Sequence, residues 1–158
     1  MFALFDSTDI KCVFIGPQAA LYRNLRDMLD TNDATLNSVV DIDNLIALGR
    51  TAVLGYDYLF VDIDGLGGVS AVIDDLWDLR LRYPSITVIL ISAEFETDDF
   101  DMNRRNLGDV SLRDPVLYAS LELALLEAPN NNSHWRRNVA GHRQSCIGKA
   151  PAARVHRA

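Results

Sequence analysis

Histidine and cysteine are almost missing from this chain, and much familiar chemistry goes with them. Of 158 residues three are His, at 134, 142 and 156, and two are Cys. The first 133 residues therefore lack the usual general base, and no serine sits in a nucleophile elbow, so an enzyme is not expected. The three His are eight and fourteen residues apart with no fixed scaffold between them, which does not make a ligand set. Cys12 lies inside an apolar run and reads as a buried thiol, and with Cys146 it makes neither a disulfide framework nor a metal site. No apolar run reaches the roughly 18 to 20 residues that cross a bilayer, and no cationic segment leads into an apolar one at the start. No membrane contact and a cytoplasmic location are the resulting expectations. Gly65, Gly67 and Gly68 are not followed by Gly-Lys-Ser/Thr and do not fit a dinucleotide fingerprint, so they read as a turn.

Acidic residues are absent after Glu127. Residues 1–128 hold all 22 acids against nine Lys and Arg, a net of −13, whereas residues 129–158 hold six Lys and Arg and all three His. An acidic body is a poor surface for nucleic acid, since phosphate binding needs clustered Lys and Arg. The basic C-terminal part, with Trp135-Arg136-Arg137, is where nucleic acid or an acidic partner would bind. The 49% hydrophobic content and mean hydropathy of +0.03 fit one soluble domain with a sizeable core.

Read in order, residues 1–10 form a lead-in, with Phe2, Leu4 and Phe5 available to pack on the body. Lys11 to Ile15 is a buried strand closed by Gly16-Pro17. Leu21, Leu25, Met28 and Leu29 mark an amphipathic helix over 18–29. Ala34 to Val40 is a second strand, and Asp41 or Asp43 caps a short helix over 44–50. Tyr58 to Ile63 is a third strand. Val69, Val72, Ile73, Leu76 and Leu79 line one stripe of a helix that ends before Pro84. Ile86 to Ile91, the most β-branched run, is a central strand covered on both faces. Phe95 to Asn106 begins acidic and ends in Arg104-Arg105, an order that complements a helix dipole, and is expected to be helical; Glu94, Glu96, Asp98 and Asp99 are its solvated start. Val110 to Leu112 is a last strand and Val116 to Glu127 a last helix. After Glu127 the pattern gives way to Ala-Pro-Asn-Asn-Asn-Ser, so residues 1–128 are expected to form the domain and 129–158 a mostly disordered tail with a short helix near Trp135.

Five strands alternating with five helices require right-handed crossovers and a parallel sheet. The expectation is a flavodoxin-like, doubly wound α/β sandwich with strand order 2-1-3-4-5. Its functional edge is the carboxyl end of the strands, where Tyr58-Leu-Phe-Val-Asp-Ile-Asp-Gly delivers Asp62 and Asp64.

These elements and strand-end residues resemble the receiver domain of bacterial two-component response regulators, over roughly residues 10–127. The resemblance makes Asp62 the candidate phosphoacceptor, Ser92, followed by Ala93, the candidate phosphoryl sensor, and Arg113-Asp114-Pro115 the counterpart of the strand-5 Lys-Pro pair. A strand-end carboxylate can attack phosphorus, and a neighbouring cation stabilises the transferred charge. It also implies a magnesium ion, for which Asp62 and Asp64 are the available carboxylates, and a histidine kinase as donor. The sequence departs from the pattern at three places. Gly16-Pro17 replaces the acidic pair that helps hold magnesium, Asp114 replaces the Lys, and Ser111 replaces the switch aromatic. The reading that follows is a degenerate receiver, a regulatory protein-interaction or oligomerisation module, a dimer for example, presenting the face at about 95–127 and lacking efficient phosphorylation or a cofactor. The alternatives are a phosphorelay receiver phosphorylated on Asp62, a transcriptional regulator whose DNA-binding output is lost or reduced to the basic tail, and a small flavodoxin-like enzyme or cofactor binder.

Overall fold

The computed structural model of the protein describes residues 9–101 and 106–149, with side chains described as far as Gly141. Phe2, Leu4, Phe5, Arg104, Arg105 and His156 lie outside the described residues, as does the part of the expected tail from residue 150 on. In chain order the elements are β1 (Ile10–Ile15), α1 (Ala19–Asp30), β2 (Ala34–Val39), α2 (Ile42–Ala47), α3 (Arg50–Leu54), β3 (Tyr58–Asp62), α4 (Val69–Arg82), β4 (Thr87–Ser92), β5 (Val110–Arg113) and α5 (Tyr118–Lys149). All strand pairs are parallel and the sheet order is β2-β1-β3-β4-β5, as expected for the doubly wound fold.

Strand chemistry follows position. β3 and β4 are buried at every residue because both faces are covered, which explains their unbroken apolar runs. β2, at the edge, alternates buried and exposed over its first four residues. Successive side chains feed two cores. Phe14, Phe60, Ile91 and Leu112 pack with Leu21, Leu25, Leu121 and Leu125 of α1 and α5, while Ile15, Val61 and Leu90 pack with Leu45, Val53, Leu76 and Leu79 of α2, α3 and α4. The Asp41 carboxylate accepts from the Asn44 N–H at 2.8 Å and so caps α2. The loop expected after α2 contains a further short helix, α3.

Three expectations need correction. First, residues 95–101 are not helical; the crossover from β4 to β5 runs as turns, with Asp99 bridging Ser111 antiparallel. A dipole-compatible charge order without an apolar stripe does not fold a helix against a core. Second, Val69 and Ile73 do not share the buried stripe of α4, which is Val72, Leu76 and Leu79; they are exposed together with Trp77. Third, the last helix does not stop at Glu127. It runs through Pro129 to Lys149, so the switch of charge at residue 128 is not a structural boundary.

Local chemistry accounts for this continuity. Pro129 has no N–H to give the carbonyl four residues back, and the Tyr58 hydroxyl donates to that carbonyl, Leu125 O, at 2.8 Å instead. Beyond it, Asn131 Nδ2 donates to Phe100 O and Asp109 O, both at 2.8 Å, and Asn132 Nδ2 donates to Pro84 O and Ile86 O, both at 3.1 Å. Trp135 is buried, its ring 4.1 Å from the guanidinium carbon of buried Arg80, which itself pairs with Asp109 at 2.8 Å. These contacts fasten the extension across the amino ends of β4 and β5.

Candidate functional site

Parallel pairing brings the strand ends level. Ile15 lies opposite Val61, Asp62 opposite Ile91, and Ser92 opposite Arg113, so the loops after β1, β3, β4 and β5 meet at one edge. The sequence-nominated residues Asp62, Asp64, Ser92 and Arg113-Asp114-Pro115 all stand on these loops or strand ends.

Their contacts separate them. Asp62 is 1% exposed. Its Oδ1 accepts from Gln18 Nε2 at 2.7 Å and from the Gly65 N–H at 3.0 Å, while Oδ2 has no partner among the described residues. Two glycines shape the enclosure. Gly16 has φ +149°, and a Cβ there would stand 2.5 Å from Asp62 Cβ; a Cβ on Gly65 would run into Asp62 Oδ2 and lie 2.8 Å from Pro17 Cδ. Gly16, Pro17, Gln18 and Gly65 thus close over the carboxyl group. Burial pushes its pKa up, hydrogen bonds from Gly65 and Gln18 pull it down, and the charge of Asp64 adds to the rise.

Asp64 faces the other way. Its Oδ1 accepts from the Ser92 hydroxyl at 2.5 Å and its Oδ2 from the Ala93 N–H at 2.7 Å, while Ser92 Oγ accepts from the Glu94 N–H at 3.0 Å. Ser92 therefore ties the β4 loop to the β3 loop, and the hydrogen-bond partners of Asp62 are Gln18 and Gly65 instead. Asp114 is half-buried, with its pKa raised by burial first and by Asp64 second. Its N–H donates to Ser92 O at 3.1 Å, and its peptide bond to Pro115 is cis. The Arg113 guanidinium donates to Glu96 O at 2.8 Å and its N–H to Asp98 Oδ1 at 2.7 Å. Asp98 also accepts from Ser120 Oγ at 2.5 Å, which pins the crossover to α5. No Lys or Arg among the described residues hydrogen-bonds or ion-pairs with Asp62.

Magnesium takes near-octahedral oxygen ligands with one or two carboxylates. Gly16 and Pro17 bring no side-chain oxygen, Asp62 Oδ2 is enclosed, and both oxygens of Asp64 are engaged. As arranged, these groups do not fit the ion. Among the described residues no three His, Cys, Asp or Glu are grouped to hold a metal, and no helix is long and apolar enough to cross a membrane. Sequence reasoning missed Gln18 and the role of Gly16; the Gly-Pro-Gln run was legible as a strand stop but not as a lid.

Comparison with known proteins settles the architecture. No family model and no curated protein matches the chain. Among solved structures, a pilus assembly-related protein of Burkholderia pseudomallei is 19% identical with TM-score 0.63, covering 81% of this chain and 95% of its own. A response regulator receiver domain of Clostridium thermocellum is 16% identical with TM-score 0.60, covering 78% and 97%. The fold is that of a receiver domain. The chemotaxis response regulator CheY4 of Vibrio cholerae shares this receiver fold at 11% identity and TM-score 0.58, covering 77% of this chain and 99% of its own. At such identities the receiver likeness speaks to fold, and the site must be judged on its own residues.

Proposed function

We propose that this receiver-fold protein is a signalling module that works through protein contacts and not through phosphorylation, with no enzymatic activity and no bound cofactor. The observation that carries the reading is the enclosure of Asp62 beneath Gly16, Pro17, Gln18 and Gly65, with no Lys or Arg among the described residues paired to it. A carboxylate attacking a phosphoryl group needs an open in-line approach and positive charge for the transferred oxygens, and the described residues offer Asp62 neither. The remaining loops are tied to one another, Asp64 to Ser92 and Asp98 to Arg113 and Ser120, which favours a fixed shape over a switched one.

Partner contact is supported by the face at about 95–127, where Leu117, just before α5, and Leu123 on α5 are exposed. With no helix in the described part of 95–101, that face is built on β5 and the start of α5. The test is exposure of the protein to a small-molecule acyl phosphate with magnesium, followed by intact-mass measurement. The expected result is an unmodified chain; a phosphoryl adduct that disappears in Asp62→Asn would instead support a working phosphorelay receiver.

A further inference from the structure

Among the described residues, the fourth crossover places no helix beside α4. Val69, Ile73 and Trp77 recur every four residues along α4 and are 36, 43 and 40% exposed. Arg80 stands seven residues after Ile73, two turns on and so on the same side of the helix, and its guanidinium reaches Asp109 at the foot of β5. The stripe therefore looks toward β4 and β5, where a helix over 95–106 was expected and residues 95–101 run as turns. The sheet beneath is closed by a thin cover: Phe95 is buried, and Gly108 lies so close that a Cβ on it would stand 2.6 Å from Leu90. Among the described residues that cover seals β4 and leaves Val69, Ile73 and Trp77 partly exposed.

The rim of this flank is acidic. Asp74 and Asp78 follow Ile73 and Trp77 around the helix, both exposed, with Asp78 also paired to Arg82 at 3.1 Å, and the crossover exposes Glu94 and Glu96. An apolar stripe with an acidic rim fits a basic helix. The chain contains one. Past Trp135, α5 continues for fourteen residues, roughly 20 Å at 1.5 Å per residue, with Arg136 and Arg137 exposed and Val139 half-buried. Residues 129–158 carry six Lys and Arg and no acid.

We propose that the Val69–Ile73–Trp77 stripe of α4 receives the basic extension of α5 from a second copy of this chain. Each copy offers a stripe and an extension, so the contact is heterologous and closes into a ring or runs on as a chain according to its rotation. This surface is distinct from the Leu117 and Leu123 face and independent of the chemistry of Asp62.

The experiment is sedimentation velocity on the full chain across a concentration series at low and high salt. Association that rises with concentration and weakens with salt is expected. Ile73→Asp with Trp77→Asp weakens it about tenfold or more, because a central aromatic anchor and its apolar partner are lost. Arg136→Glu with Arg137→Glu does the same. Mixing that charge-reversed protein with Asp74→Arg, Asp78→Arg restores association, which misfolding of either variant would not do. A monomer at every concentration overturns the proposal, as does association that Leu117→Asp abolishes while the α4 variants leave it intact. A monomer that also resists the acyl phosphate would sink this proposal alone and leave the non-phosphorylated reading standing.

Discussion

Two carboxylates sit at opposite ends of the same sheet, and both are buried. Asp62 closes the carboxyl end of β3, and Asp109 stands just before the amino end of β5. Each has one oxygen without a partner among the described residues. Burial raises the pKa of both, but only at Asp109 does a guanidinium oppose it, Arg80 at 2.8 Å, helped by the Val88 N–H at 2.8 Å and Asn132. Asp62 has amide donors alone. Charge in this chain goes to anchoring: a full ion pair holds the extension of α5, while Asp62, at the edge that houses chemistry in receivers, is capped by neutral groups.

The strongest way to break the contrast is to remove the cation. Arg80→Ala leaves Asp109 buried and uncompensated and strips the contact under Trp135, and a loss of about 3–5 kcal/mol is expected in urea unfolding. Replacing Arg80 and Asp109 together with apolar residues of similar volume should recover much of that loss. Next comes Trp135→Ala, with about 3 kcal/mol expected. Hydrogen exchange on this variant should show residues 129–149 losing protection ahead of 118–128, since the anchor of the extension is gone.

Tyr58→Phe should cost about 1–2 kcal/mol, because Leu125 O is left buried with no donor. The same change should cost less in a Pro129→Ala background, where residue 129 regains an N–H for that carbonyl. A double-mutant cycle in urea measures the coupling.

The smallest effect is at Asp62. Its folded pKa lies above the ordinary 3.8, so its contribution to stability is complete below about pH 3.8 and is lost as pH rises through the folded value. Asp62→Asn cannot titrate, so the stability of the variant relative to the parent should rise as pH rises from 4 and level off once Asp62 is ionised. Asp109 and Asp114 titrate in the same sense in both proteins, so the difference between the two stability curves isolates Asp62.

The parallel sheet and its order were legible because runs such as Ile86–Ile91 admit only a doubly covered strand. Asp62 and Asp64 were legible as edge residues, since an apolar run stopping in acids and glycines marks a strand end. What Asp62 meets there was not, because the lid depends on how Gly16-Pro17-Gln18 turns back over β3, a tertiary contact 44 residues away in sequence for Gln18. The extension was hidden by composition. Leu121, Leu125, Ala128, Asn132 and Trp135 keep helical spacing and are all buried, but Asn132 occupies an apolar position and Pro129 reads as a stop. Their partners, the carbonyls of Pro84 and Ile86 and the hydroxyl of Tyr58, lie on other elements and leave no local signal.

The most direct measurement of the central claim is an amide NMR titration with magnesium and then beryllofluoride, on the parent and on Asp62→Asn. No saturable shifts at Gly65, Ser92 or Ala93 are expected in either protein. Saturable shifts at these amides in the parent that vanish in Asp62→Asn would contradict it, because they would mean that the lid opens and the carboxylate still binds a phosphoryl group.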